Sequence, residues 1–369
     1  MKLGGLALLA IVLQTGCGTY PRRGLDADHA RQWEHALTRQ EIGLSPEQAN
    51  RILALDPGNV TARDVQDLLA KAPAPRIIYL HGGYAAAIPL SISFCEFLEG
   101  MGYPSASLTN PSDGTYTFSC YENSEKIAGV IAWYYEKEGL RPMMVGHSQG
   151  GMQAVKVLHR LAKESKLRVW NPLTWKAEAR WEITDPLSGQ PRPVAGLVLP
   201  YASVVSAGGF TRVLPSQWNM NLPGLSLHHI PDSVEEFTGY CKKADPLGGD
   251  YLGYGSINHY KPNGRAVVRS VWLPTAYKHF TIPDTKHLLK SQRLRDWIDA
   301  YRPATESVVR LDLGEAFDVN ATNILWAADV WYSIKKHWVM ELQRWIRAKR
   351  GEPYEAPSHC NEADRRRNA

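Results

Sequence analysis

A serine that attacks a carbonyl carbon needs a turn that exposes its hydroxyl, a base to take its proton and donors to receive the developing negative charge. One stretch of this chain provides the turn: Met143-Met144-Val145-Gly146-His147-Ser148-Gln149-Gly150-Gly151-Met152. An apolar run reaches Val145 and an amphipathic segment follows from Met152 to Leu161, a pattern that predicts strand, sharp turn, helix. Gly146 and Gly150 flank Ser148 where a Cβ would collide with the neighbouring strand or helix and where the backbone takes unusual torsions. The helix N-terminus behind Ser148 offers free N–H groups and a partial positive charge to an oxyanion.

A second stretch has the chemistry of a donor loop. The β-rich run Ile77-Ile78-Tyr79-Leu80 ends in His81-Gly82-Gly83-Tyr84, and glycines there let backbone N–H groups approach a substrate carbonyl. Between the two stretches, Pro89 to Gly100 has helical spacing and Ser105 to Leu108 reads as a short strand. Asn110 to Gly114 is a turn cluster, and Asn123 to Glu138 is an amphipathic segment closed by Gly139. Strands alternating with helices imply a parallel sheet.

Beyond Leu161 the pattern breaks. Val169 to Pro193 carries Trp170, Trp175 and Trp181 among proline turns and reads as a small β-hairpin insertion near the mouth of the site. Its tryptophans either line a pocket or cover a sheet edge. Val194 to Val205 is the next strand. Phe210 to Leu227 is a loop-rich candidate for substrate binding. Glu236 to Cys241 is a strand running into the turn Asp245-Pro246-Leu247-Gly248-Gly249, and Ala266 to Leu273 is the last clear strand. Ala321 to Lys349 spaces Ile324, Ala328, Trp331, Trp338, Leu342 and Trp345 near the helical period. Packing on the core is the first reading of that helix, and lying on a membrane surface is the second.

Gly146-His147-Ser148-Gln149-Gly150 after a strand, preceded by His81-Gly82-Gly83 after another, resembles the α/β-hydrolase superfamily on its lipase/esterase side, over residues 76 to about 300. The resemblance implies an α/β-hydrolase fold: a mostly parallel central sheet flanked by helices, with small hairpin and loop insertions as a partial lid. It implies Ser148 as nucleophile on an ester carbonyl, with backbone donors from Gly83 or Tyr84 and from Gln149. The order serine, acid, histidine places both partners after Ser148. Asp245, at a strand's C-terminal end, is the favoured acid, with Asp250 and Asp232 as competitors. Two histidines lie between the last strand and the helix that follows, His279 and His287. The His287-Leu288-Leu289 segment looks more like the family's terminal motif, so His287 is favoured and His279 is the alternative base. His147 is read as a neighbour of the nucleophile and His81 as structural. No cofactor or metal is implied. The substrate class is a small-molecule ester or lipid. Acyl transfer or thioester cleavage on the same triad is the first alternative, and a non-catalytic binding lipoprotein the second.

The remaining sequence sets context. The 369 residues are 44% hydrophobic and 21% charged with a net charge of +5, ordinary for a globular chain and without the aromatic-interleaved basic stripe of nucleic-acid binders. Lys2, the apolar run Leu3 to Leu13, and Gln14-Thr15-Gly16-Cys17 read as an export signal and resemble a bacterial lipoprotein signal. That resemblance implies a lipidated Cys17, and Gly18 after it implies the outer membrane, facing the periplasm or cell surface, with plain secretion as the alternative. Cys95, Cys120, Cys241 and Cys360 have no metal-ligand spacing, and Cys95 with Cys120 is a candidate disulfide. The expected division is a signal over 1–17, a helical extension and linker over 18–75, a hydrolase domain over 76–302 with an insertion at about 169–193, a helical extension over 303–350 and a disordered tail over 351–369.

Overall fold

A computed structural model describes residues 43–84, 86–163, 166–208, 228–250, 259–312 and 321–354. Cys17, the loop Phe210–Leu227, Cys360 and the tail from 355 lie outside the described residues. At the centre is a six-stranded sheet: β1 (Ile77–Leu80), β2 (Met143–His147), β3 (Leu199–Val205), β4 (Val234–Lys242), β5 (Val267–Leu273) and β6 (Val308–Arg310). The strands lie side by side in sequence order and every pairing is parallel.

Seven helices are described: α1 (Pro46–Leu53), α2 (Ala62–Asp67), α3 (Ala87–Gly100), α4 (Ser124–Glu138), α5 (Gln149–Lys163), α6 (Gln292–Ala300) and α7 (Ile324–Arg350). Alternate residues of each strand feed opposite cores. Ile77, Tyr79, Met143 and Val145 join Phe94 of α3 and Trp326, Trp331 and Trp338 of α7 on one face. Ile78, Leu80 and Met144 join Ile131 of α4 and Val155 and Leu158 of α5 on the other. Both faces are covered, so β1 and β2 are apolar along nearly their whole length and fully buried. Local signals set the helix ends: Ser45 caps α1 in a capping box, Asn123 caps α4, and Gly139 in the left-handed region stops α4.

Several local expectations change in three dimensions. Ser105–Ser107 is a 3₁₀ turn, not a strand. The extended segment that reaches β1 is Phe118, which bridges Leu80 in parallel. Phe118 lies between β1 and β2 in sequence yet on the edge of β1 away from β2, so the C-terminal end of β1 is a switch point, where open α/β sheets place their ligands. The 169–193 insertion is two antiparallel hairpins, Trp170–Asn171 with Lys176–Ala177 and Glu182–Thr184 with Pro191–Pro193. The second does not act as a lid. Glu136 in the last turn of α4 accepts from Arg180 and from the Thr184 N–H, and Lys349 donates to Pro186, which holds this hairpin at the end of the sheet opposite Ser148. The first lies along α4, where Gly129 leaves room for the Arg168 and Trp170 backbone, and Trp175 reaches the Phe118 ring.

The architecture also does not finish at residue 302. Val308–Arg310 adds the sixth strand, and α7 is a core element with most of its circumference buried. Cys95, Cys120 and Cys241 are buried and form no disulfide, so Cys95 and Cys120 are not joined. No described helix is long and apolar enough to cross a membrane.

Candidate active site

The β2–α5 turn places Ser148 at φ +53°, a left-handed backbone that non-glycine residues adopt only when their surroundings enforce it. The surroundings do so here. The Ser148 N–H donates to Val205 O of β3, and the Ser148 carbonyl accepts from Gly151 and Gly208. A Cβ on Gly150 would stand 2.1 Å from Leu80 O, and one on Gly146 would stand 2.6 Å from Gly150 O. The glycines therefore let the turn close against β1 and against its own helix.

Three residues from distant parts of the chain meet at this turn. His279 Nε2 lies 3.0 Å from Ser148 Oγ, and His279 Nδ1 lies 2.8 Å from Asp245 Oδ2. All three side chains are buried or nearly so. Asp245 follows β4, and its Oδ1 accepts the Gly248 N–H at 3.0 Å. Burial works to raise the pKa of this carboxyl, but the His279 ring and the Gly248 N–H outweigh it and hold the group below its ordinary value. The competing acids have other work. Asp250 closes the same loop by accepting the Ala244 N–H, and Asp232 lies just before β4, at the other end of that strand, accepting from the Arg265 and Ala266 N–H groups.

His287, favoured in the sequence as the base, is not part of this cluster. It sits in a 3₁₀ turn with Nε2 3.2 Å from Thr322 O, at the entry to α7. Its neighbour Leu288 is fully buried and anchors the turn to the core, which directs the segment away from Ser148. The alternative, His279, is the histidine that the structure brings to the serine.

His147 braces the site from beneath. Its Nε2–H donates to His279 O at 2.9 Å, which ties the strand carrying the serine to the loop carrying the histidine. Burial, reinforced by the adjacent His279 ring, pushes the His147 pKa down to about 3, so the ring is neutral and its Nε2 keeps the proton. His159 in α5 is similarly pushed down to about 4 by burial and by Lys163. Both rings titrate near 6.5 in an unfolded chain. On acidification the unfolded state therefore takes up protons that the native state refuses, so these groups favour folding fully above about pH 6.5 and progressively less toward pH 4. Urea midpoints are expected to fall steadily over that window, and His159→Gln to flatten the fall. A midpoint that stays constant from pH 7 to 5 contradicts this assignment.

The loop after β1 approaches the serine closely. A Cβ on Gly82 would stand 3.1 Å from His147 Nδ1 and 3.4 Å from Ser148 Cβ, and one on Gly83 would stand 2.1 Å from Gln149 Oε1. Gly83 and Tyr84 follow immediately. Among the described residues the Tyr84 N–H meets no acceptor, and the Gln149 N–H, at the first position of α5, has none within its helix. His81 Nδ1 lies 2.8 Å from Gly82 O, within its own loop. Tyr84 also clasps the His279 loop: its hydroxyl donates to Phe280 O at 2.9 Å, and its ring meets the Phe280 ring edge-on at 4.7 Å. Tyr121, which no sequence motif signals, donates its hydroxyl to Gly83 O at 2.9 Å. Among the described residues no group of three His, Cys, Asp or Glu side chains is placed to hold a metal ion.

Compared with known proteins, the chain matches no family model, no curated protein and no solved structure.

Proposed function

We propose that this protein is a serine hydrolase of the α/β-hydrolase type that cleaves carboxylic esters. The observation that carries the reading is the relay Asp245–His279–Ser148, with heavy-atom separations of 2.8 and 3.0 Å, on a serine held at positive φ. The element order supports it: nucleophile after β2, acid after β4 and histidine after β5, with the glycine loop after β1. In this reading His279 Nε2 takes the Ser148 proton as Oγ attacks the carbonyl carbon. The oxyanion is received by the N–H groups of Gln149 and of Tyr84 or Gly83. His279 then gives the proton to the departing alkoxide, which leaves an acyl-serine and an alcohol. Water, deprotonated by the same ring, attacks the acyl-serine, and the carboxylic acid leaves as Ser148 recovers its proton. Asp245 stays ionised throughout, orienting His279 and stabilising its charged form.

Aromatic residues around the loops support a substrate with an apolar acyl or alcohol group. Tyr121 and Phe280 are each 40% exposed, and both hydroxyls in this cluster, those of Tyr84 and Tyr121, are occupied by backbone carbonyls. The N-terminal apolar run and Cys17 support export and a lipid anchor at the outer membrane. The test is reaction of the folded protein with a fluorophosphonate, followed by peptide mass mapping and a p-nitrophenyl ester series of increasing acyl length. One adduct on Ser148, absent in Ser148→Ala, together with turnover of at least one ester, is expected. A folded protein that neither labels nor turns over any ester rules the reading out.

A further inference from the structure

We propose that Tyr121 is a positioning residue for the oxyanion donor, aiming the Tyr84 N–H by holding the peptide group that carries it. The inference rests on the hydrolase reading above. The Tyr121 hydroxyl donates to the carbonyl of Gly83 at 2.9 Å. That carbonyl and the Tyr84 N–H belong to one peptide unit. The unit is planar and trans, so its C=O and N–H point in opposite directions. A hydroxyl that fixes the carbonyl on one side fixes the direction of the N–H on the other. It also polarises the amide and makes the N–H a stronger donor.

The requirement for an external hold comes from the loop itself. Gly82 and Gly83 have no side chains to restrict the backbone, and Gly83 lies close under its neighbours: a Cβ there would meet Gln149 Oε1 at 2.1 Å and Tyr121 Oη at 3.0 Å. A glycine pair is the most freely rotating backbone available, and a donor useful in the transition state must already be aimed when charge develops. The free N–H of Tyr84 is thus set by contacts from outside the loop. Its own side chain is anchored to Phe280, and its peptide is anchored by Tyr121.

Tyr121 is in turn tied to the nucleophile. The Tyr121 N–H donates to Ser119 Oγ, and Glu122 closes a turn onto Ser119. The Gln153 side chain, from the helix that begins at Gln149, donates to Glu122 O. The 119–122 turn thereby links the donor loop to the helix behind the serine, and Tyr121 is the residue that spans the gap.

Tyr121→Phe removes the hydroxyl and keeps the ring. The experiment compares wild type, Tyr121→Phe and the control Tyr116→Phe, which loses a phenol bonded to Glu99 outside the site. The readouts are kcat and KM on one ester, inhibition by a trifluoromethyl ketone whose adduct on Ser148 carries an oxyanion, and thermal midpoint. Deleting an oxyanion donor outright lowers kcat by about 10²–10³-fold, so loss of its aim is expected to lower kcat by about tenfold or more. Affinity for the ketone should weaken by the same factor, with KM and thermal midpoint unchanged and Tyr116→Phe like wild type. An active wild type whose Tyr121→Phe variant keeps kcat and ketone affinity, or loses them only together with its thermal midpoint, overturns the proposal and leaves the hydrolase reading standing. A wild type that neither labels with fluorophosphonate nor turns over ester overturns both.

Discussion

Replacement of His279 by alanine is expected to abolish fluorophosphonate labelling and to reduce ester turnover by on the order of 10⁴- to 10⁶-fold, the range seen when the base of a serine triad is removed. The geometry makes the expectation specific. His279 contacts both Ser148 Oγ and Asp245 Oδ2, whereas the His287 ring pairs with Thr322 O. His287→Ala is therefore expected to label and turn over close to wild type, with a small loss of stability where the turn entering α7 loosens. Asp245→Asn removes the charge that orients His279 and should lower kcat by about 10⁴-fold. Asp250→Asn tests a residue that supports the same loop without touching the ring, and it should retain most activity. The assignment is wrong if His287→Ala silences the protein while His279→Ala remains active, and steady-state kinetics on circular-dichroism-matched variants decides it.

The largest stability effect is expected at Glu341. This carboxylate lies in α7 and is fully surrounded. It meets the guanidinium of Arg141 through both oxygens, at 2.6 and 3.0 Å, accepts the Arg141 N–H, and touches the Arg344 guanidinium. Arg141 precedes β2, so the cluster fastens the last helix to the strand that leads into Ser148. Burial tends to lower the Arg141 pKa, but Glu341 and Glu235 outweigh it and raise it. Glu341→Ala would strand Arg141 in the interior, with only the partly exposed Glu235 to balance it. Removing one partner of a buried pair costs about 3–5 kcal/mol, and urea unfolding should show a loss of that size. For comparison, the surface pair Lys286–Glu96 should contribute at most about 1 kcal/mol. A Glu341→Ala loss as small as that of Glu96→Ala would show that the cluster does not fasten α7.

These two expectations differ in how far the sequence foretold them. The serine, its two glycines and the glycine loop were readable because their demands are local. A turn that needs positive φ, or a backbone approach that leaves no room for a Cβ, is written into a few adjacent residues. Asp245, which meets the His279 ring, was readable as the aspartate at a strand's C-terminal end. The histidine was not separable, because His279 and His287 share one connecting segment, and only the burial of Leu288 and the clasp between Tyr84 and Phe280 decide which reaches the serine. The sixth strand escaped notice since three residues, Val308 to Arg310, are too few to show an alternation. The insertion at 169–193 read as one hairpin near the mouth of the site, whereas it forms two, and the docking of the second on Glu136 is a long-range event with no local signature. Tyr121 carries no motif at all, since its role depends on which carbonyl it meets.

The packing of α7 has a consequence for how the molecule comes into being. Its side chains reach back to the first described residues: Gln343 donates to the carbonyls of Ile52 and Leu55, Trp338 to Pro73 and Tyr332 to Gly58. Trp326, Trp331 and Trp338 fill the core against strands made much earlier. A chain emerging from the ribosome therefore lacks one wall of its interior until residues 324–350 have been synthesised, and the sheet face that α7 covers stays open to solvent or to chaperones meanwhile. Closure brings α7 onto the segment from Ile52 to Pro73, with the slow approach expected of contacts so far apart in sequence.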